Sequence, residues 1–252
     1  MIRVAAVGDV HIGADSAGSY RPRLTRLADH ADLLLIAGDL TKRGTPEEAR
    51  LVADELRELP VPVVAVLGNH DYESDADGLM ADLLVDAGVA VLEGASARLD
   101  VRGCTVGIGG AKGFGGGFPG CSGSEFGEPE MKSFMRHAAR SADALQAALE
   151  AVRDADVRIA LTHYAPVDAT LAGEHCGIYP FLGCYLLAEA IDRGGATFSV
   201  HGHAHAGSPE GETPGGVPVR NVAQPVIQRS YRVFAVHDGR LEADSLSEAQ
   251  QG

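Results

Sequence analysis

The sequence predicts an α/β fold. Short apolar runs of strand length alternate with helical stretches, and five of those runs lead directly into Asp, Asn or His, three of them by way of a glycine. Alternation of this kind packs helices on a sheet, and residues just past strand carboxyl ends are where open α/β sheets build their sites.

The runs are residues 2–7, 33–37, 62–67, 157–161 and 197–200, and their lengths suit buried strands better than helices. Between them, 46–59 reads as a helix: Thr45 is an N-cap, Pro46 fits the first helical position and Glu48 completes a capping box. Leu51, Val52, Ala53, Leu56 and Leu59 supply its apolar face. Further helices are expected over 77–87, 138–155 and 181–192, with Gly88 and Gly194 as stops. Residues 99–108 read as a strand, followed by a glycine-rich loop over 109–127. Strands return over 217–222 and 231–237, and Asp238-Gly239 marks a turn.

Of the 252 residues 45% are hydrophobic, enough for a sizeable core. No linker and no short repeat divides the chain, so a single domain over 1–252 is expected, with a mobile polar tail from about 242. No run approaches the ~20 apolar residues of a membrane helix. The N-terminus lacks the features of a signal peptide, so a soluble, cytoplasmic protein is expected. Cys104, Cys121, Cys176 and Cys184 form no C-x-x-C pair and read as reduced thiols. The net charge of −14 argues against broad binding to nucleic acid or anionic membranes. It does not argue against a phosphate substrate, because bound cations reverse the field inside one cleft.

The five strand ends lead to Asp9 and His11; Asp39; Asn69, His70 and Asp71; His163; and His201, His203 and His205. Carboxylate, amide oxygen and imidazole together suit Mn²⁺, Fe, Zn²⁺ or Co²⁺ better than Ca²⁺ or an iron–sulfur cluster. Asp9 and His11 are two apart and can turn toward one ion, whereas His203 and His205 can serve different ions. One carboxylate can bridge two cations, and Asp39 is the natural candidate. Two ions ~3.5–4 Å apart could share a bridging hydroxide and clamp attacking and leaving oxygens. Singly the fragments are weak: Gly38-Asp39-Leu40 could be a plain turn, and Gly68-Asn69-His70-Asp71 an ordinary Asn-based turn. Their joint occurrence, each after an apolar run, carries the metal reading.

The blocks Asp9-Val10-His11, Gly38-Asp39-Leu40 with Gly44, Gly68-Asn69-His70-Asp71, His163 and Gly202-His203-Ala204-His205 resemble the calcineurin-like metallophosphoesterase superfamily. The resemblance implies a four-layer α/β/β/α sandwich of two mixed sheets with flanking helices. It implies one ion on Asp9, His11, Asp39 and His205, and a second on Asp39, Asn69, His163 and His203, with Mn²⁺ the leading candidate. His70 would contact the phosphate and protonate the leaving oxygen, and Asp71 would orient or polarise His70. The expected activity is hydrolysis of a small phosphate ester, a diester on resemblance to small bacterial-type members. The alternatives are a phosphomonoesterase, a nuclease disfavoured by the charge, and an inactive binding module disfavoured by the complete ligand set.

Other polar residues have plainer readings. His30, His137 and His237 read as structural or surface histidines, and Lys42 and Arg43 as solvated charges. His201 is a candidate for hydrogen bonding behind the ligands. Tyr164 is expected to pack, and His175 lies in a loop that could reach the cleft. The 112–118 stretch lacks the ending of a P-loop and the context of a Rossmann turn. It is expected to be a flexible loop near the site that influences substrate choice.

Overall fold

Two six-stranded mixed sheets stack face to face in the computed structural model, which describes residues 1–242. The first holds β1 (Ile2–Val7), β2 (Leu33–Ala37), β3 (Val63–Val66), β4 (Val89–Val91), β13 (Arg232–His237) and β14 (Arg240–Leu241). Their spatial order is β14-β13-β1-β2-β3-β4, with β1 to β4 parallel and the last two strands antiparallel. The second sheet holds β5 (Ala95–Val101), β6 (Cys104–Ala111), β9 (Val157–Thr162), β10 (Phe198–His201), β11 (Glu210–Glu212) and β12 (Pro218–Asn221). Its order is β11-β12-β10-β9-β6-β5, parallel in the middle and antiparallel at both edges. A hairpin of β7 (Gly117–Phe118) and β8 (Cys121–Ser122) stands apart.

The sequences of β2 and β3 are apolar throughout, and that of β1 nearly so, because both faces of these strands are covered. Ile2, Val4, Ala6, Leu33 and Leu35 face the core between the sheets, against Ile108, Ile159, Leu161 and Phe198 of the second sheet. Their neighbours Ala5, Val7, Leu34 and Ile36 face outward, toward α1 (Leu27–His30), α2 (Pro46–Leu56) and α3 (Asp77–Asp86) through Leu27, Val52, Leu56, Met80 and Leu84. On the opposite side α4 (Pro129–Glu150) and α6 (Tyr185–Gly194) cover the second sheet with Leu145, Leu149, Leu187 and Ile191. The short α5 (Tyr179–Leu182) abuts the β7–β8 hairpin, and α7 (Gln224–Ile227) precedes β13. The order of layers is therefore helix, sheet, sheet, helix, the expected sandwich.

Several boundaries differ from expectation, each for a local reason. The α2 cap forms, with Thr45 Oγ1 accepting from the Glu48 amide at 3.2 Å, which is worth roughly 1 kcal/mol. The Glu48 carboxylate, however, reaches back to the Arg43 amide at 2.7 Å rather than to Thr45. α2 ends at Leu56 because Glu58 is left-handed and Leu59 precedes a proline, which disfavours helix. The expected single strand over 99–108 is part of a hairpin: Arg102 and Gly103 both have positive φ, as a two-residue primed turn requires. The expected helix over 181–192 is two helices, broken where extended Gly183 pairs with Ala165. The expected loop over 109–127 is partly sheet. A Cβ on Gly109 would stand 2.8 Å from Leu149 Cγ, so this glycine permits close packing of α4 on β6 and does not mark a loose loop. The helix expected over 138–155 starts nine residues earlier, at Pro129, which sits in the first turn, and ends at Glu150. Residues 243–252, the expected mobile tail, lie outside the described residues.

Candidate metal centre

The parallel strands of both sheets bring their carboxyl ends to one edge. There the Gly8 amide donates to Val222 O at 2.9 Å and Gly202 N donates to His163 O, stitching the ends together. All seven expected ligands converge at this edge. Asp9, His11, Asp39 and His205 place one ligand atom each within 4.8 Å of one another, and Asp39, His163 and His203 form a second such group that shares Asp39. Asn69 joins the second group through Oδ1, 2.8 Å from His163 Nε2.

The backbone pays for this convergence in strain. Asp9, His11, Asp39 and His203 all have left-handed φ, between 45° and 68°. Such conformations are several-fold more frequent for Asp and His than for other side chains, and their clustering is typical of functional sites. Gly202 makes room for a neighbour: a Cβ there would collide with Asp9 Oδ2.

Backbone carbonyls set the imidazole tautomers. Nδ1 of His163 donates to Ala37 O at 2.8 Å and Nδ1 of His11 faces Thr41 O at 3.2 Å, so in the neutral rings the Nε2 lone pairs turn inward. His203 is reversed: its Nε2 faces Phe181 O at 3.2 Å, which leaves Nδ1 as the lone-pair nitrogen. At the second group, His163 Nε2, Asn69 Oδ1 and Asp39 Oδ1 thus meet as acceptors, with the Asp39 oxygen 3.4 Å from the ring nitrogen.

Electrostatics point the same way. Asp9 and Asp39 are almost fully buried, and among the described residues no Lys or Arg comes within 4.0 Å of either. Burial works against the Asp9 charge, but the hydrogen bond and charge of His205, the His163 charge and the His203 amide outweigh it and hold the carboxyl below its usual range. Burial pushes His203 down to about 3 and lowers His11, so neither supplies positive charge at neutral pH. Two buried carboxylates side by side, with hydrogen bonds but no Lys or Arg beside them, are costly. Two cations answer both the charge and the converging lone pairs, so the residues present fit a dinuclear centre.

His70 stands at the rim, with its side chain 40% exposed. Its amide donates to Asp39 Oδ1 at 2.9 Å, its Nδ1 donates to Lys42 O at 2.7 Å, and Nε2 faces the cluster 4.0 Å from Asp39 Oδ2. Asp71 requires a correction. It was expected to orient His70, but its buried carboxylate accepts from Leu40 N, Thr41 N, Thr41 Oγ1 and Gly68 N, at 2.6–3.2 Å. None of these contacts is to the His70 ring: Asp71 ties the β2 exit to the β3 exit, and the ring is held by the carbonyl of Lys42 on the loop that Asp71 fixes. Burial and the Asp39 charge push Asp71 up to about 6.

Among the remaining histidines, His201 is buried behind the ligands, with Nε2 2.8 Å from Thr170 Oγ1 and burial lowering it to about 4. His30 contacts Tyr231 Oη, and exposed His175 caps the Gly177 amide. Lys42 pairs with Asp15 at the surface. Tyr164 packs as expected and lies against His203, with ring centroids 4.4 Å apart. Lys112, the first residue past β6, opens the 112–118 stretch expected near the site, but the sequence assigned it no role of its own. It follows an apolar run just as the ligands do, and that was the available signal.

The family model of calcineurin-like phosphoesterases matches residues 2–207. The chain belongs to this family. Members of the family are hydrolases of phosphate esters that use divalent metal ions, and the Asp and His clusters of this chain could hold such ions. A probable cyclic nucleotide phosphodiesterase of Synechococcus is 31% identical over 80 residues, spanning 28% of this chain and 31% of that protein. The chain thus matches under a third of the length of this curated relative. The phosphopantetheinyl hydrolase of Mycobacterium tuberculosis has the same fold, with a TM-score of 0.67 at 17% identity, covering 98% of this chain and 97% of that one. A protein of Thermus thermophilus also shares the fold, with a TM-score of 0.57 at 18% identity, over 87% of this chain and 88% of that one.

Proposed function

We propose that the chain is a dinuclear metal-dependent phosphodiesterase with His70 as its general acid. One ion is assigned to Asp9, His11, Asp39 and His205, the other to Asp39, Asn69, His163 and His203. Three oxygen and four nitrogen donors admit Mn²⁺, Fe, Zn²⁺ or Co²⁺, and the family resemblance puts Mn²⁺ first. When bound, the pair supplies an acidified water and neutralises phosphoryl charge.

The observation that carries the reading is the posture of His70. The Lys42 carbonyl keeps a proton on Nδ1, so the nitrogen that can take up and release a further proton is Nε2, which faces the cluster. As the ester P–O bond breaks, that proton passes to the departing oxygen and the ring reverts to the tautomer that Lys42 holds. Asp39 fixes the His70 backbone and Asp71 fixes the loop carrying Lys42, so the ring is aimed before substrate arrives. Asn69 adds an oxygen ligand without adding negative charge beside an anionic substrate. The name of the Synechococcus relative supports a diester. The four free thiols support a cytoplasmic setting, and among the described residues no helix is long and apolar enough to cross a membrane.

The test compares bis(p-nitrophenyl) phosphate with p-nitrophenyl phosphate, which share a leaving group. The expected kcat/KM favours the diester by about tenfold or more, roughly 1.4 kcal/mol in transition-state stabilisation. A preference for the monoester would replace this reading with a phosphomonoesterase.

A further inference from the structure

Lys112 follows β6, whose carboxyl end lies beside that of its parallel partner β9. Its carbonyl accepts the amides of both His163 and Tyr164 at 3.0 Å, which locks it to the strand end that carries a proposed ligand. Its ammonium lies 4.3 Å from the ring centroid of Tyr72, 5.5 Å from that of Phe114 and 5.9 Å from that of Tyr164. Tyr72 closes the single turn that His70 opens, and the Tyr164 ring rests on His203. The ammonium therefore stands beside the ligand set. Among the described residues no carboxylate, Asp39 included, comes within 4.0 Å of it.

The charges of Glu93, Asp77 and Asp39 act on this partly buried ammonium from beyond hydrogen-bond reach, so it has lost hydration without gaining a hydrogen-bond acceptor. Aromatic faces attract it, but only an anion restores charge-assisted hydrogen bonds. Phe114 also lines a cleft of about 680 Å³, along with Phe134, His137 and Arg140, and the Phe114 ring contacts those of Phe134 and His137 at 5.2 and 4.4 Å. Glu130 lines the same cleft as Arg140, so its walls are largely aromatic with one charge of each sign, and Lys112 stands at the Phe114 side of it.

We propose that Lys112 binds an anionic group of the substrate remote from the scissile phosphate, with the Phe114 cleft holding the body that carries it. The substrate class is then a phosphodiester bearing a second phosphate, and Lys112 is a specificity residue. This rests on the phosphoesterase reading above. The test is calorimetric titration of the Mn²⁺-loaded chain with thymidine 5′-monophosphate and with thymidine 3′,5′-bisphosphate, which differ only in the remote phosphate. The wild type is expected to bind the bisphosphate about tenfold more tightly or better. Lys112→Met should abolish that preference, Lys112→Gln should do the same, and Lys112→Arg should keep most of it. An unchanged preference in Lys112→Met and Lys112→Gln would overturn the proposal. So would equal weakening of both ligands, which would put the ammonium on the phosphate they share. Hydrolysis of bis(p-nitrophenyl) phosphate by the wild type is followed in parallel. If no metal-dependent hydrolysis occurs, the phosphodiesterase reading fails, while the binding preference still decides the role of Lys112.

Discussion

At the scale of single residues, the site separates groups that look alike in sequence. His70 and Asn69 are neighbours, yet Asn69 turns its oxygen toward His163 while His70 keeps Nδ1 on a carbonyl and presents Nε2 at the rim. A proton donor matters most when the leaving group is poor. His70→Ala is therefore expected to lose ~10²–10⁴-fold in rate on an alkyl phosphodiester and far less on a nitrophenyl diester. Metal content, measured by elemental analysis, should stay near that of the wild type. Equal slowing of both esters, or loss of metal, would make His70 a positioning group or a ligand instead. The motif pointed to His70 and Asp71 as a pair, but not to where each side chain turns. Asp71 turns away because four donors from two loops meet its carboxylate, and those donors come from residues 40, 41 and 68.

At the scale of elements, strand ends and the turns that follow them decide where ligands go. Gly202 leaves β10 with its Cα facing Asp9, and a methyl there would meet Asp9 Oδ2 and stand 2.8 Å from Ala37 O. Gly202→Ala is expected to displace Asp9 and weaken the ion held by Asp9, His11 and His205. Overpacking should also cost about 1–3 kcal/mol in stability. Metal titration and thermal unfolding check both effects, and an unchanged metal affinity would show that the turn is not what holds Asp9. The strand of residues 2–7 and that of 33–37 were legible to the residue because runs buried on both faces have a plain signature. The β5–β6 hairpin was not, because Arg102-Gly103 lacks the usual Asn or Asp of a primed turn.

At the scale of the whole molecule, the two sheets must hold a fixed distance for ligands from both to meet. Asp32, just before β2, contributes to that at the opposite end from the site. It accepts from the Arg3 amide and from Arg3 Nη2, both at 2.8 Å, and from Arg102 Nε in the second sheet at 2.9 Å. Burial opposes its charge, but the hydrogen bonds and charge of Arg3, with Arg102, outweigh it and hold the carboxyl below its usual range. A carboxylate with a depressed pKa stabilises the fold above its unfolded value, near 3.9, and that contribution is lost as pH falls through the folded value. Asp32→Ala should therefore lower stability by about 1–3 kcal/mol at neutral pH. The gap between wild type and variant should close below about pH 4. Urea unfolding across that range checks it, and a gap independent of pH would show that the charge is not involved.

What the sequence determined by itself is local: the central strands over 2–7 and 33–37, the capped start of α2, and that Asp9, His11, Asp39, Asn69, His163, His203 and His205 all follow strands. These follow from hydrophobic period, capping and side-chain chemistry, which act over a few residues. Only the tertiary structure decided that ligands from residue 9 to residue 205 meet around Asp39, that Lys42 rather than Asp71 holds His70, and that Lys112 enters an aromatic cage at the rim. Each of those facts depends on how two sheets are ordered and stacked. Stacking joins residues far apart in the chain, and no spacing within a motif encodes that distance.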